Sequence, residues 1–233
     1  MSKYRLALLS LFLVFGTFAC STNGSAPATA TPIPTETPVP TATPAPMLLF
    51  EERDFKTSNC FAADSTDQVK YFTDEGAFHI ELLIPVWHAL APCMDPDVLF
   101  TDFVVEVDAT QVDGADKNLY GLMLRVFGTD LDFYLFGISG DGMYTLIYDH
   151  LRKEGAATRI VDWKPSTAIK QGKATNHLKA VLVGNTIELY ANGTLLETVQ
   201  DDRISTGSVG FVASSSPDGP LHVSFDNLVV SEP

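Results

Sequence analysis

Apolar and polar residues alternate along several stretches in the middle of the chain. The clearest are 103–109, 120–126 and 131–138, which place an apolar side chain at nearly every second position between turns that contain Gly or Asp. Alternation with a period of two is typical of a β-strand that buries one face. Many short strands, spaced about ten residues apart, predict an antiparallel sandwich of two sheets.

An Asn-Gly pair indicates where two of these strands reverse direction. Asn192-Gly193 lies between the apolar runs 187–191 and 194–199. The pair suits a two-residue hairpin turn, in which both central residues take a positive φ angle. We therefore expect a β-hairpin at this point.

A series of motifs makes the fold prediction more specific. They are Phe103-x-Val105-Glu106-Val107-Asp108, Tyr120-Gly121-Leu122-Met123, Trp163-x-Pro165-Ser166, Gly207-x-Val209-Gly210-Phe211 and Phe225-Asp226-Asn227-Leu228. Together they resemble the concanavalin A-like lectin and glucanase jelly roll, in the branch similar to laminin-G-like and 3-keto-disaccharide hydrolase domains of bacterial surface lipoproteins. The resemblance covers about Asp54 to Val230. It implies an all-β, antiparallel two-sheet jelly-roll sandwich for residues 47–233, which is one domain by length.

The start of the chain resembles a bacterial lipoprotein signal. Lys3 and Arg5 precede an apolar run, 6–15, that is too short to span a bilayer, and Ala19 precedes Cys20. The resemblance implies a signal peptide over 1–19 and a diacylated Cys20 that holds the protein to a membrane. The alternative is ordinary signal cleavage nearby, and either route predicts export from the cytoplasm.

A tether follows the signal. Residues 20–46 contain the cysteine and a tract of Thr, Pro and Ala with a single charged residue, Glu36. Proline-rich chains extend by about 3.1 Å per residue, so this tract could reach up to about 80 Å.

The predicted export also bears on the role of the other two cysteines, Cys60 and Cys93. Cys60 and Cys93 lack the closely spaced Cys or His partners of a metal site. In an oxidising compartment such a pair is expected to form a disulfide.

The charge balance bears on the choice of partner. The chain has 15 Lys and Arg against 29 Asp and Glu, a formal net charge of −14. Nucleic acids and anionic lipid surfaces attract clusters of Lys and Arg. No nucleic-acid partner is expected, and any membrane contact should come from the lipid anchor.

Glu106 and Asp108 are the sharpest acidic candidates. They lie on the same face of their predicted strand and resemble part of the Glu-x-Asp-x-Glu signature of jelly-roll glucanases, but Ala109-Thr110-Gln111 stands where the third acid should fall. Retaining glycosidases need two carboxyl groups about 5 to 5.5 Å apart. We therefore assign no catalytic residue, and the other interpretation of the pair is a solvated or salt-bridged face.

Further ligand-binding candidates follow from a predicted hairpin of strands 102–110 and 119–127. That pairing would send Arg125 to the face that carries Glu106 and Asp108. Trp87 and Trp163 could stack on sugar rings, or could support their loops as buried aromatics. Asp226 and Asp54 are candidates for binding a structural calcium ion. Alternatively, Asp226-Asn227 forms hydrogen bonds with the neighbouring backbone. No other cofactor is expected.

These expectations predict a membrane-anchored extracytoplasmic protein whose sandwich binds a polysaccharide or an envelope protein. Two alternatives stay open. One is a glycoside hydrolase that resembles the 3-keto-disaccharide hydrolases, and the other is a structural envelope module without a small ligand.

Overall fold

The computed structural model describes residues 45–56, 58–61, 64–128, 130–151 and 157–233. The predicted signal peptide, Cys20 and nearly all of the tether lie outside the described residues. Their boundaries and the lipidation of Cys20 stay predictions.

The described part of the chain consists of β-strands joined by turns and loops. The strands are β1 Leu48–Glu52, β2 Val69–Asp74, β3 Ala77–Leu82, β4 His88–Pro92, β5 Phe103–Gly114, β6 Leu119–Phe127, β7 Asp132–Ser139, β8 Met143–His150, β9 Thr158–Pro165, β10 Thr175–Val183, β11 Thr186–Ala191, β12 Thr194–Gln200, β13 Ser208–Ser214 and β14 Leu221–Ser231. Within these residues, no helix is long and apolar enough to cross a bilayer.

The strands form two antiparallel sheets. The eight-stranded sheet has the order β12-β11-β10-β5-β14-β3-β2, and β1 pairs with β14 beside this path. The six-stranded sheet has the order β4-β13-β6-β7-β8-β9. The predicted all-β sandwich is confirmed.

The core lies between the sheets and follows from the alternation in each strand. In β5, Phe103, Val105 and Val107 are fully buried, whereas Glu106 and Asp108 keep part of their surface exposed. The ring of Phe211 from β13 stacks on Phe225 from β14 with centroids 4.3 Å apart, which joins the two sheets directly. An aromatic stack of this kind contributes about 0.5 to 1.5 kcal/mol beyond the area that it buries.

A β-bulge keeps the last strand in phase with the core. Phe225 and Leu228 are both fully buried although they are three residues apart, and the register between β14 and β5 shifts between Asp226 and Val229. The extra residue is accommodated where Asn227 takes a left-handed φ of 55°. An inserted residue of this kind bends a strand and turns the following side chains back to their former face.

The Asn192-Gly193 turn is also confirmed. The two residues join β11 to β12 and have φ angles of 51° and 79°. Positive φ at both central positions is the geometry that a two-residue hairpin requires.

The predicted pairing of residues 102–110 with 119–127 is wrong. β5 pairs with β10 and β14 in the eight-stranded sheet, whereas β6 pairs with β7 and β13 in the six-stranded sheet. The intervening loop therefore crosses from one sheet to the other. Its first turn depends on Gly114 (φ 113°), where a Cβ atom would come within 2.3 Å of the Pro220 carbonyl oxygen.

The disulfide between Cys60 and Cys93 is confirmed. It ties the segment that precedes β2 to the residue that follows β4, and the Met94 amide donates a hydrogen bond to the Cys60 carbonyl beside it. Disulfides persist in oxidising compartments. The bond therefore indicates an extracytoplasmic protein.

We expect the disulfide to contribute about 2 to 5 kcal/mol to the free energy of unfolding, because it closes a loop in the unfolded chain. Replacing Cys60 and Cys93 together by Ala should lower the urea midpoint by the corresponding amount. The control is Asn59→Ala, which changes an exposed residue beside the bridge. An unfolding free energy equal to that of the oxidised parent would contradict the prediction.

Candidate functional site

The two sheets present very different outer faces to their surroundings. The outer face of the eight-stranded sheet is polar and is crossed by ion pairs such as Lys70 to Glu81, which are 2.9 Å apart. It carries Lys70, His79, Glu81, Glu106, Asp108, His177, Lys179, Glu188, Tyr190 and His222, none of them fully buried.

Glu106 and Asp108 lie at the centre of this polar face and are held by His177 of β10. The imidazole Nδ1 lies 2.9 Å from Asp108 Oδ1, and Nε2 lies 3.4 Å from Glu106 Oε1. The side-chain amide Nδ2 of Asn227 also donates to Asp108 Oδ2 at 3.1 Å. Each carboxylate therefore already has a hydrogen-bonding partner within the sheet.

A second histidine cluster lies along the same face. His79 Nδ1 and His222 Nε2 are 3.0 Å apart, and the Phe72 ring stacks on His79. Burial, followed by repulsion from His79, lowers the pKa of His222, although Glu81 and Asp113 oppose the effect. The cluster therefore favours a neutral His222 that shares a hydrogen bond with His79.

The outer face of the six-stranded sheet is instead apolar. Its strands alternate between the main core and a second apolar cluster on the opposite side of the sheet, so that β6 and β7 are buried on both faces. The cluster consists of Leu119, Met123, Val126, Phe133, Leu135 and Val212, with Leu90, Leu131, Ile147 and Trp163 packed against it. The six members of this cluster are only 0–8% exposed, so they form a second buried apolar layer beyond the main core.

A groove of about 480 Å³ opens over this apolar face. We call it the groove and define it by its described lining: His88 and Leu90 from β4, Lys117 and Leu119, Phe133 and Leu135 from β7, Ile147 and Asp149 from β8, Leu151 and Ala157, Arg159 and Trp163 from β9, Val212 and Ser214 from β13, and Ser216. All six strands of the sheet contribute to it. The groove therefore combines an apolar floor with a polar and charged rim.

The structure does not bring the predicted ligand-binding residues together. Trp163 lines the groove, whereas Glu106 and Asp108 lie on the outer face of the other sheet. Trp87 precedes β4, which forms the sheet edge opposite Trp163's strand β9. Its backbone N–H donates to Ser215 Oγ at 2.9 Å, and the residue is 39% exposed.

The prediction that Arg125 projects beside Glu106 is wrong. Arg125 is fully buried, and its guanidinium donates to the carbonyl oxygens of Ile204 (2.9 Å) and Thr101 (2.7 Å). The reason is a break in the pairing of β6 with β7, where Arg125 takes a φ of 51°. Gly207 fits against this kink, because a Cβ there would lie 2.4 Å from the Arg125 carbonyl carbon. Burial lowers the pKa of Arg125.

The calcium candidates lie in local backbone turns. Asp226 Oδ1 accepts a hydrogen bond from the Asn227 amide at 2.7 Å, and Asp54 Oδ1 accepts one from the Lys56 amide at 3.3 Å. Among the described residues, no group of three or more His, Cys, Asp or Glu is arranged to hold a metal ion. A structural calcium ion stays a prediction on which nothing below depends.

Sequence reasoning missed the polar rim of the groove, namely His88, Lys117, Asp149 and Arg159. The sequence held a signal only for the apolar floor of the groove. In β6 and β7 the residues of both faces are apolar, as in Leu122-Met123-Leu124 and Phe133-Tyr134-Leu135-Phe136. A strand that is apolar in both phases is buried on both faces.

Comparisons with known proteins identify the fold. The scan against protein-family models finds no match, and the search of curated proteins finds none. Solved structures do match, and with the two-sheet topology they define a concanavalin A-like jelly-roll sandwich.

Three of the matching structures show the kinds of protein that share this fold. An endo-β-galactosidase from Clostridium perfringens that releases GlcNAcα1-4Gal has a TM-score of 0.54 and 10% identity, over 84% of this chain and 65% of that one. A Bacillus subtilis protein of unknown function with a galectin-like fold has a TM-score of 0.53 and 12% identity, and the match covers 80% of this chain and 96% of that one. The carbohydrate-binding module CBM66 from Bacillus subtilis has a TM-score of 0.49 and 20% identity, and the match covers 74% of this chain and 92% of that one.

Arg125 should act in folding rather than in ligand binding. Replacing it by Met removes the donors to the Ile204 and Thr101 carbonyl groups, and we expect the free energy of unfolding to fall by about 2 to 4 kcal/mol. Urea denaturation measures the change, with Lys179→Met on the polar outer face as the control. Unchanged stability of Arg125→Met would show that the buried hydrogen bonds do not support the fold.

Proposed function

We propose that this chain is a lipid-anchored extracytoplasmic protein whose sandwich domain binds a glycan chain in the groove. The observation that carries the proposal is the apolar, tryptophan-containing outer face of the six-stranded sheet, which lies under an open groove with a polar rim.

The chemistry of the lining suits a sugar. A pyranose ring has an apolar C–H face and a polar hydroxyl edge, and an amphipathic aromatic such as Trp163 can contact the face while its polar atom stays available. Asp149, Arg159 and Ser214 supply acceptors and donors for hydroxyl groups at the rim. Ligand sites typically combine an apolar lining with a few polar groups of this kind.

The extent of the groove favours a chain of sugars over a single one. Neighbouring strands are about 4.8 Å apart, so a path across six strands covers about 24 Å. The lining residues come from all six strands. An extended oligosaccharide could lie along such a path and contact several strands at once.

The named neighbours support the proposal through their shared fold alone. The Clostridium perfringens structure is that of an enzyme that acts on a carbohydrate. At this level of sequence identity, the similarity establishes a shared fold but not a shared active site. The ligand of this chain must therefore be inferred from its own groove.

Glycoside hydrolysis is the second candidate, and Asp149 is the observation that favours it, because it places a carboxylate in the groove. The usual mechanisms require two such groups. Among the described lining residues Asp149 is the single carboxylate. Release of reducing sugar from a bound polysaccharide would move the assignment from binding to hydrolysis.

Trp163 should be the main aromatic contact. We expect Trp163→Ala to weaken binding of an oligosaccharide by about 1 to 3 kcal/mol, or roughly 5- to 150-fold in Kd, because the stacking surface is lost. A glycan array identifies the oligosaccharide, and calorimetry gives the two affinities.

The matched control is Phe72→Ala, which removes an exposed aromatic from the other sheet. It should leave the affinity unchanged. Equal losses for the two variants would place the binding surface outside the groove.

Lipid anchoring is tested separately through Cys20. We expect the parent protein to incorporate labelled fatty acid and to partition into the membrane fraction, and Cys20→Ser to do neither, because the acylated thiol is lost. Thr22→Ala, two residues from Cys20, is the control for a substitution in the same segment. Membrane partitioning that survives in Cys20→Ser would contradict the anchor.

A further inference from the structure

The groove concentrates positive charge in an acidic protein. The whole chain has 29 Asp and Glu against 15 Lys and Arg. The described lining of the groove reverses this ratio, with Lys117 and Arg159 against Asp149. The local excess of cations therefore runs against the composition of the molecule.

The two groove cations form no ion pair with the described residues. Outside the groove, five described cations each pair with a carboxylate, namely Arg53, Lys70, Lys164, Lys173 and Arg203, whereas Lys56, Lys170 and Lys179 form no such described pair. Among the ion pairs of the same described residues, none involves Lys117 or Arg159, although both side chains are exposed. With carboxylates in such excess, two unpaired cations in one groove leave their charges available to a ligand.

Arg159 and Trp163 are placed to act on the same ligand. They lie on β9 four residues apart and both line the groove. Trp163 offers a surface for a sugar ring, and the planar guanidinium of Arg159 can donate two parallel hydrogen bonds to a carboxylate or a sulfate. Lys117 adds a second positive charge at the turn before β6.

We propose that the ligand of the groove is an anionic polysaccharide, whose sugars carry carboxylate or sulfate groups. This inference rests on the proposed function, since it specifies the chemical class of the glycan. Trp163 supplies affinity for any sugar ring. Lys117 and Arg159 supply the preference for a charged sugar over a neutral one.

The test compares matched pairs of polymers on the purified full chain. In the first arm, polygalacturonate is compared with its fully methyl-esterified form, which has the same backbone without charge. In the second arm, dextran sulfate is compared with dextran. We expect the anionic member of at least one pair to bind about tenfold more tightly than its neutral counterpart, the scale of one charge-assisted contact.

Variants then assign the preference to the groove. The double variant Lys117→Gln/Arg159→Gln should bring the affinities for the two members of that pair to within about threefold of each other. Trp163→Ala should weaken binding of both members by a similar factor. The control Lys56→Gln/Lys179→Gln removes the same amount of charge outside the groove and should keep the preference for the anionic polymer.

The outcomes separate this inference from the proposed function. Equal or tighter binding of the neutral polymers, still dependent on Trp163, would overturn the inference and leave glycan binding intact. A preference for anionic polymers that survives in Lys117→Gln/Arg159→Gln would also overturn it. Absence of binding to every polymer, or binding unaffected by Trp163→Ala, would overturn both.

Discussion

The packing of the two sheets against each other is the interaction on which the rest of this structure depends. Phe103, Val107 and Phe225 from one sheet meet Phe136 and Phe211 from the other in a single buried layer. Because successive residues of a strand point to opposite faces, each side chain placed in this layer also decides which neighbours point outward. The polar outer face and the groove are both consequences of the same register.

That register explains why the two outer faces have opposite characters. In strands β5, β10 and β11 the inward phase is largely apolar, and the outward phase carries polar residues such as Glu106, Asp108 and His177 that contact one another. Strands β6, β7 and β13 are apolar in nearly every position, so a second apolar layer forms beyond the core. The groove opens over this second layer and takes its apolar lining from it.

The sequence was sufficient for the fold but not for the assembly of the site. Alternation at 103–109 and 120–126 predicted the strands, and Asn192-Gly193 predicted its hairpin, since these depend on neighbours along the chain. The partner of β5 depends on residues about 70 to 120 positions away in β10 and β14. Sequential strands often pair, but here the chain crosses between sheets, which local patterns do not reveal.

Arg125 shows how one local break in alternation changes the assignment of a residue. Strict alternation places it on the outer face of the six-stranded sheet, yet its left-handed backbone and the close approach of Gly207 turn the guanidinium inward to two carbonyl groups. Such a position cannot be read from residue spacing, because it depends on an element about 80 residues later. The same long-range assembly creates the groove, whose rim joins His88 of β4 to Arg159 of β9 across the whole sheet. Charges that are scattered in sequence thus become neighbours of one ligand surface only after the sandwich has closed.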